Sequence, residues 1–328
     1  MPRRSRLDAP AVLHHVIIRG IERRAIFLSL ADRRDFSKRC GDLFPETGTV
    51  CYAWALLRNH AHLLLRTGTA PLSTVMARLL SGYASGFNRR HNRSGHLFQN
   101  RYKSIICQED TYFKDLVRYI HLNPLRARLV PDFSALETYQ WSGHAVLLSN
   151  KKCPWQDAKY PLSFFGGAKA YLQFVSEGVD QGPRPDLAGG GLVRSHGSWV
   201  EVKKSRSLIK GDERILGDTS FVMSILAQAE QRLERRCAMR QSGVDLSVVE
   251  KRVCNLYDLK PADLYRRGRQ KTLAEAKSLF CFWAVLELGM LQAALAERFS
   301  LTPQAISYAV RRGQRIAGES GYALLDKG

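Results

Sequence analysis

Two histidines separated by a single residue, His60 and His62, precede an apolar run at residues 63–65. In a β-strand, residues i and i+2 point to the same face, so both imidazoles could bind one metal ion. Neutral imidazoles suit manganese, zinc, nickel or iron, and they suit magnesium only when oxygen ligands join them. The alternative is two unrelated histidines at a strand start, because an isolated His-x-His pair often occurs by chance.

A tyrosine and an asparagine share one face of a predicted helix. Tyr119 and Asn123 are four residues apart, so their side chains lie one helical turn from each other. A tyrosine hydroxyl can attack a phosphodiester when a metal or a cation stabilises its anionic form. The Asn123 oxygen could complete the ligand set of that metal. The alternative is that Tyr119 packs in the core and Asn123 caps the helix end before Pro124.

Residues 88–103 interleave cations, amides and aromatic rings. This mixture suits a groove for single-stranded nucleic acid, in which cations follow the phosphates and rings stack on bases. The predicted DNA-binding residues of this segment are Arg89, Arg90, Arg93, Gln99, Arg101 and Lys103. A solvated basic loop is the alternative.

The charge balance of the whole chain also favours a polyanionic partner. Fifty Lys and Arg residues against 30 Asp and Glu give a formal net charge of +20 over 328 residues. Such an excess attracts nucleic acid through phosphate contacts and counterion release, although a solvated basic surface would have the same composition. Seven scattered cysteines without a Cys-x-x-Cys pair argue against a zinc ribbon and against a disulfide framework.

No membrane partner is expected. No apolar segment follows the basic N-terminus, so a secretory signal is not predicted. The most apolar stretch, residues 279–296, contains Glu287, Gly289 and Gln292, which favours a buried helix followed by a turn. We therefore expect a cytoplasmic protein associated with the nucleoid.

The elements that position these residues follow a β-α-β-β-α-β-α order. Hydrophobic periodicity and turn residues predict strands at 11–19, 48–57, 60–66 and 98–107, and helices at 31–44, 71–89 and 109–122. Pro124 is expected to stop the last of these helices. The first six elements are those of a ferredoxin-like, split β-α-β arrangement, an antiparallel sheet with helices on one face. The fold class is therefore α+β.

The rest of the chain differs in character. Residues 149–212 contain Pro183, Pro185 and a Gly-Gly-Gly run with little periodicity, which is typical of a linker. Residues 213–328 are predicted to be helical almost throughout. The sequence thus predicts a catalytic domain at 1–148, a linker at 149–212 and an all-α domain at 213–328.

The N-terminal motifs together resemble those of the REP-associated tyrosine transposases, a group of the HUH nucleases. The resemblance covers roughly residues 11–130 and is carried by five ordered stretches, at residues 15–20, 59–64, 87–91, 94–104 and 118–127. One departure is Arg58, where the family usually has proline before the Asn-His pair. That difference changes a turn and leaves the ligands intact.

The resemblance implies a role for each matched residue. His60 and His62 match the metal-ligand pair, Tyr119 matches the nucleophile, and Asn123 falls where a polar third ligand is expected, for Mg²⁺ or Mn²⁺. Such enzymes cut and rejoin single-stranded DNA at hairpin repeats. The attack leaves a 5′-phosphotyrosine link and a free 3′-hydroxyl, so no nucleotide cofactor is needed.

Four stretches, at residues 263–269, 275–277, 291–299 and 301–309, carry a second resemblance. Over residues 248–317 the chain is similar to the C-terminal DNA-binding domain of the replication initiator DnaA, a helix-turn-helix type. Thr302 as N-cap and Pro303 at the first helical position make a favourable helix start. The resemblance implies that this last helix enters the major groove of duplex DNA. Its predicted contacts are Gln304, Ser307, Tyr308, Arg311 and Arg312. A plain helical bundle with a basic face is the alternative.

Two other functions compete with the nicking and joining enzyme. One is a catalytically silent, transposase-derived DNA-binding regulator, which would have no need of His60, His62 and Tyr119 together. The other is a zinc-dependent hydrolase, which lacks a general-base carboxylate near the histidine pair. The sequence leaves open whether the protein forms a homodimer, and hence whether Tyr119 acts within its own subunit.

Overall fold

The structure, a computed structural model, describes residues 7, 11–68, 70–148, 153–182, 184, 187, 212–241, 243–266, 268, 270–290 and 292–325. The chain divides into two units, Met1–Ala227 and Gln228–Gly328. Across the described residues, no helix combines the length and the apolar composition that crossing a bilayer requires.

A five-stranded sheet forms the centre of the first unit. Its strands are β1 (Leu13–Arg19), β2 (Val50–Leu56), β3 (His60–Arg66), β4 (Lys103–Cys107) and β5 (Ile215–Leu216). The spatial order is β2-β3-β1-β4-β5. The first four strands pair antiparallel, and β5 adds to β4 in parallel. The first four strands have the order of a split β-α-β fold, so the predicted α+β class and ferredoxin-like order are confirmed.

Two long helices connect these strands and cover one face of the sheet. They are α1 (Leu30–Thr47) and α2 (Leu72–Arg90). Helix α1 starts with a capping box, in which Ser29 and Asp32 each accept a hydrogen bond from the other's backbone N–H. It ends at Gly48, whose φ of 61° is accessible to glycine at little cost. Phe36 and Met76 pack with sheet residues such as Leu63 in this core.

The two helices among the first six elements thus lie on one face, as predicted, and later helices cover the opposite face. Helix α3 (Glu109–Arg126) packs there, with Phe113 and Ile120 in one core with Leu64 and Ile105. Four short helices follow on the chain: α4 (Phe133–Thr138), α5 (Gly143–Leu148), α6 (Lys159–Phe165) and α7 (Ala168–Ser176). Residues of these helices, including Tyr171, join the same core.

Pro124 does not stop α3, contrary to the sequence expectation. The helix continues to Arg126, and its last turn keeps hydrogen bonds from the Ala127 N–H to the Asn123 carbonyl and from the Leu129 N–H to the Pro124 carbonyl. A proline removes one donor, but the bonds on either side of it maintain the turn. Helix α3 therefore carries a basic residue two turns after Tyr119.

The domain boundary also differs from the predicted one. Helices α6 and α7 lie within the segment predicted as a linker, and their residues belong to the core of the first unit. Strand β5 and the start of α8 (Thr219–Gln241) extend that unit, with Ile215 and Val222 packed on Ile106. Residues 149–152, 183, 185–186 and 188–211 of the predicted linker lie outside the described residues.

The second unit is helical, as predicted. After α8 come α9 (Leu246–Tyr257), α10 (Pro261–Leu264), α11 (Lys271–Phe282), α12 (Gln292–Arg298) and α13 (Pro303–Ser320). The apolar stretch at residues 279–296 forms the end of α11, a π-helical turn at Trp283–Glu287, a turn at Gly289 and the start of α12. Its buried side chains form part of the core of this unit.

Candidate active site

Three histidines lie on one face of the sheet because of strand alternation and register. Ile17 of β1 pairs with His62 of β3, Arg19 pairs with His60, and His15 pairs with Leu64. Odd-numbered residues of β1 and even-numbered residues of β3 therefore share a face. This is the face that packs against α3, since Leu64 belongs to the same core as Phe113.

The His62 ring is oriented by His15, a residue that the sequence analysis did not select. The His15 Nδ1 lies 3.0 Å from the Leu187 carbonyl oxygen, and its Nε2 lies 2.9 Å from His62 Nδ1. A carbonyl oxygen only accepts, so His15 Nδ1 carries the proton and a neutral His15 offers its Nε2 lone pair. His62 Nδ1–H then donates to His15, which leaves the Nε2 lone pair of His62 available to a ligand.

A hydrogen bond to Asn59 orients the His60 ring so that its Nδ1, like that of His62, carries the proton. The Asn59 amide donates through Nδ2 to the Arg23 carbonyl at 3.0 Å, so its Oδ1 is the acceptor. The His60 Nδ1 lies 2.7 Å from that oxygen and carries the proton. Both histidines of the pair thus present an unprotonated Nε2, and their ring centroids are 5.1 Å apart.

Burial keeps these imidazoles neutral. It lowers the pKa of His15 to about 4, and nearby Lys103 lowers it further. The pKa of His60 is also lowered to about 4, first by burial and then by the charge of Arg19. The pKa of His62 lies well below 6.5, first because of burial and then because of its histidine neighbours. Neutral imidazole is the form that binds metals.

Helix α3 brings Tyr119 onto this cluster. The Tyr119 ring meets His15 edge-on at 5.8 Å and His62 edge-on at 5.7 Å between centroids. One turn later, Asn123 is mostly buried, and its Nδ2 donates to the Tyr119 carbonyl at 2.8 Å. That bond uses the amide nitrogen and leaves the amide oxygen as an acceptor. The tertiary structure thus brings the sequence-predicted tyrosine and histidine pair into one site.

The donor set fits a divalent metal only in part. Among the described residues, no group of three or more His, Cys, Asp and Glu side chains is arranged to hold a metal ion. His15 cannot add a third nitrogen, because both of its ring nitrogens are already hydrogen-bonded. His60 and His62 could supply two nitrogens, so oxygen ligands from Asn123, a substrate or water would have to complete the set.

Comparison with known proteins agrees with this geometry. Residues 10–123, about a third of the chain, match the family described as "Transposase IS200 like". This stretch of the chain is thus similar to the IS200-like transposases. The matched segment contains β1 to β4, the histidine pair and Tyr119, and it ends at Asn123. We refer to it below as the transposase segment.

The chain is also similar to a solved structure of a REP-associated tyrosine transposase bound to a REP hairpin. The two share 15% identity with a TM-score of 0.39, over 48% of this chain and 94% of that one. No curated protein matches the chain.

The predicted DNA contacts of the transposase segment differ in their exposure and in their internal contacts. Arg89, Gln99, Arg101 and Lys103 are exposed. Lys103 pairs with Ile17, so it lies on the same sheet face as His62, with β1 between them. The other two predicted contacts are engaged within the protein.

Arg90 and Arg93 each have an internal partner. The Arg90 guanidinium pairs with Asp32 at 3.0 Å and with Asp35 at 2.9 Å. Arg93 lies over the ring of Phe87 at 5.9 Å. The charge of Arg90 is therefore balanced locally, and the pair with Asp32 and Asp35 ties the end of α2 to the start of α1.

The predicted DNA contacts on α13 also differ in their exposure and in their internal contacts. Thr302 caps the helix as expected, accepting from the Ala305 N–H at 3.2 Å, and Tyr308 is exposed. Ser307 is only 2% exposed, which corrects its prediction as a DNA contact. Arg312 is exposed but hydrogen-bonds to Ser278 and to the Ala274 carbonyl of α11. The Arg311 guanidinium lies over the Tyr308 ring, and the side chain of Gln304 is outside the described residues.

Sequence reasoning missed three residues that shape the site. His15 and Arg19 stand out only once β1 is paired with β3, because their positions opposite Leu64 and His60 depend on that register. Arg126 was missed because Pro124 was expected to end the helix before it. The available signal for His15 was its period-two spacing with Arg19 in β1.

Proposed function

We propose that this protein is a metal-dependent single-stranded DNA endonuclease and strand transferase that acts at hairpin repeats through a 5′-phosphotyrosine intermediate. The observation that carries the proposal is the contact of the Tyr119 ring with His62, within a pair of imidazoles that both present unprotonated Nε2 atoms. The match to IS200-like transposases over the same residues supports it. His60 and His62 are the proposed ligands of Mg²⁺ or Mn²⁺, with Asn123 as third ligand.

The proposed reaction exchanges one phosphate ester for another. A bound divalent cation supplies Lewis-acid polarisation of the scissile phosphate. The Tyr119 oxygen loses its proton and forms a bond to phosphorus, while the bond from phosphorus to the 3′ oxygen breaks. The 3′ oxygen takes up a proton and leaves as a hydroxyl. The new ester retains the energy of the old one, so the reverse attack by another 3′-hydroxyl rejoins the strand.

The exposed cations favour a single-stranded substrate near this face. Lys103 lies beyond β1 on the face of His62, Arg89 is exposed at the end of α2, and Arg101 is exposed just before β4, near the neutral and exposed Gln99. Cations at such positions can follow a phosphate backbone. The hairpin repeat itself is implied by the family resemblance.

The test is a denaturing gel of labelled single-stranded hairpin DNA incubated with Mn²⁺ or Mg²⁺. The wild type is expected to give a covalent protein–DNA adduct and a free 3′-hydroxyl. Tyr119→Phe removes one oxygen and keeps the ring, so we expect the adduct to vanish while hairpin affinity is retained. Tyr112→Phe, two turns earlier on the same helix, is the matched control and should form the adduct normally.

Replacement of both His60 and His62 by Ala tests the metal separately. We expect cleavage to stop and hairpin binding to persist, because the metal acts on the phosphate and not on recognition. Cleavage at the wild-type rate by this double variant would contradict the metal assignment. An adduct that survives Tyr119→Phe and is lost in Tyr112→Phe would move the nucleophile to Tyr112. No adduct from the wild type with either metal would favour the binding-only regulator.

We also propose that the second unit binds duplex DNA through α13. The exposed Tyr308, with Arg311 against its ring, supports this role. In the full chain, Arg311→Gln should weaken duplex binding and make it less dependent on salt. Lys251→Gln, an exposed charge on α9, is the control and should have little effect. Equal effects of the two substitutions would indicate general charge attraction. The oligomeric state, measured by light scattering, decides whether Tyr119 has a partner subunit to act on.

A further inference from the structure

Arg126 lies beside the proposed nucleophile on the last turn of α3. It follows Tyr119 by seven residues, two helical turns, so the two side chains share a face. The Arg126 guanidinium is 5.7 Å from the centre of the Tyr119 ring. The extension of α3 through Pro124 is what places this cation next to the tyrosine.

The guanidinium of Arg126 has unused hydrogen-bonding capacity. Its Nη2 donates to the Gly178 carbonyl at 3.3 Å. Its Nε and Nη1 are buried and have no hydrogen-bond partner in the described part of the chain. Buried donors without acceptors are costly and uncommon, and those of a cation most of all. Two of the three nitrogens of this side chain therefore have no hydrogen-bond acceptor among the described residues.

The charge of Arg126 is also not balanced by a carboxylate. No ion pair joins it to an Asp or Glu among the described residues. Burial lowers its pKa, contact with Tyr119 opposes that effect, and the cations Arg118 and Arg184 lower it further. An arginine nevertheless stays protonated. Asp115 pairs with Arg118 and Arg184, so among the described residues the one carboxylate placed near these three cations is shared by the other two and does not pair with Arg126.

Arg118, on the same helix, shows the satisfied arrangement. Its Nη2 pairs with Asp115 at 2.6 Å, its Nη1 donates to the Phe174 carbonyl at 3.4 Å, and its guanidinium stacks on the Phe174 ring at 4.0 Å. A structural arginine in this core is therefore supplied with an anion and acceptors. Arg126 has no paired anion and only one acceptor, the Gly178 carbonyl, although it adjoins the reacting group.

We propose that Arg126 binds the non-bridging oxygens of the scissile phosphate, and of the phosphotyrosine that replaces it. This proposal rests on the proposed function of Tyr119. The planar fork of a guanidinium matches two phosphate oxygens, and such charge-assisted bonds are about twice as strong as neutral ones. Arg126 would balance the charge that builds on the phosphate as the Tyr119 oxygen attacks. No proton passes through Arg126, and its hydrogen bonds follow the phosphate as the ester changes partner.

The test compares two oligonucleotides on Tyr119→Phe protein, which binds without cutting. The scissile position is first mapped with the wild type, and one hairpin then carries a neutral methylphosphonate in place of that single phosphate. We expect the Tyr119→Phe protein to bind the phosphate hairpin about tenfold or more tightly than the methylphosphonate hairpin. In the Tyr119→Phe, Arg126→Gln double variant this discrimination should largely disappear.

Two controls separate this role from a structural one. Arg128→Gln removes an equal charge two residues on, at an exposed position, and should leave the discrimination intact. In ¹⁵N-arginine-labelled Tyr119→Phe protein, the Nε–Hε signal of Arg126, assigned with Arg126→Lys, should shift with the phosphate hairpin and not with the methylphosphonate hairpin. This measurement requires no glutamine variant, so it decides the question if Arg126→Gln fails to fold.

The possible outcomes distinguish a failure of the proposed role of Arg126 from a failure of the proposed function of Tyr119. A wild type that cuts, together with an Arg126→Gln variant that discriminates as well as its parent, overturns the role of Arg126 alone. An Arg126 signal that responds equally to the two hairpins does the same. A wild type that cuts no hairpin has no scissile phosphate, and both proposals then fall.

Discussion

The hydrogen bond from His62 to His15 offers the sharpest test of how the proposed metal site is organised. His15→Phe keeps an aromatic ring but removes both ring nitrogens. The buried His62 Nδ1–H then has no acceptor at the 2.9 Å position, and the Leu187 carbonyl loses its donor. His62 would be free to rotate or to adopt the other tautomer, in which Nε2 carries the proton and cannot bind a metal.

The size of the effect follows from the bond that is lost. Leaving one buried donor unsatisfied costs about 1–3 kcal/mol. Since 1.4 kcal/mol is a factor of ten in an equilibrium constant, Mn²⁺ should bind roughly 5- to 150-fold more weakly. This range agrees with the roughly 10- to 100-fold losses that follow removal of a hydrogen-bond partner of a metal-binding histidine.

A matched substitution isolates the acceptor. His15→Gln keeps an amide oxygen that can accept from His62 Nδ1–H, so its Mn²⁺ affinity should stay close to that of the wild type. The assay is the decrease of the free Mn²⁺ electron paramagnetic resonance signal on titration with protein at neutral pH. Hairpin cleavage rates against Mn²⁺ concentration follow, and for His15→Phe we expect saturating metal to restore much of the rate.

Two results would refute the proposed role of His15 in orienting His62. His15→Phe that folds with the wild-type melting temperature and binds Mn²⁺ with unchanged affinity would show that His15 does not orient a ligand. Equal losses in the Gln and Phe variants would show that ring packing on Tyr119, and not the accepted hydrogen bond, is what the site requires.

Two further predictions concern stability. His14 and His144 are buried and their folded-state pKa values are lowered to about 4, below the usual 6.5, because burial disfavours the charged ring. Below pH 6.5 the unfolded state binds more protons than the folded state does. The free energy of unfolding should therefore fall as the pH is lowered from 6.5 to 4, by up to about 3 kcal/mol for each histidine. Urea denaturation at several pH values measures this change, and a free energy of unfolding that does not vary with pH would contradict the prediction. In α13, Gly313→Ala would put a Cβ 1.9 Å from the Ser278 carbonyl oxygen of α11 and should destabilise the protein by about 1–3 kcal/mol or more. Gly318→Ala, on the same helix with no atom within 4 Å, should instead stabilise it by about 0.5–1 kcal/mol, and the two urea midpoints should move in opposite directions.

The sequence alone was sufficient to predict the first seven elements and to predict which candidate site residues share a face of one strand or helix. Period-two alternation placed His60 and His62 together on β3, and helical spacing placed Tyr119 and Asn123 together on α3. These relations hold because the direction of a side chain within a strand or helix depends on local geometry alone. The order of the first six elements predicted the ferredoxin-like sheet for the same reason, since few topologies accommodate it.

Other features were decided by contacts between residues distant in sequence. His15 meets His62 across 47 positions and Leu187 across 172, so its role depends on strand register and on a segment predicted to be a linker. Ser307 was predicted to be exposed, but packing buries it in the helical unit. No local pattern encodes which side chain a neighbouring element will cover, because burial depends on the whole packing arrangement.

The position of Arg126 depended both on a local rule that did not hold and on contacts between residues distant in sequence. The local rule that proline ends a helix was wrong here, because the hydrogen bonds flanking Pro124 and the packing of α3 on the sheet maintain the last turn. The same packing buries the guanidinium beside Tyr119 and supplies it with one acceptor, at Gly178. The sequence thus determined which groups this protein has, and tertiary packing decided which of them face one another and which polar atoms, such as Nε and Nη1 of Arg126, have no hydrogen-bond partner in the described part of the chain.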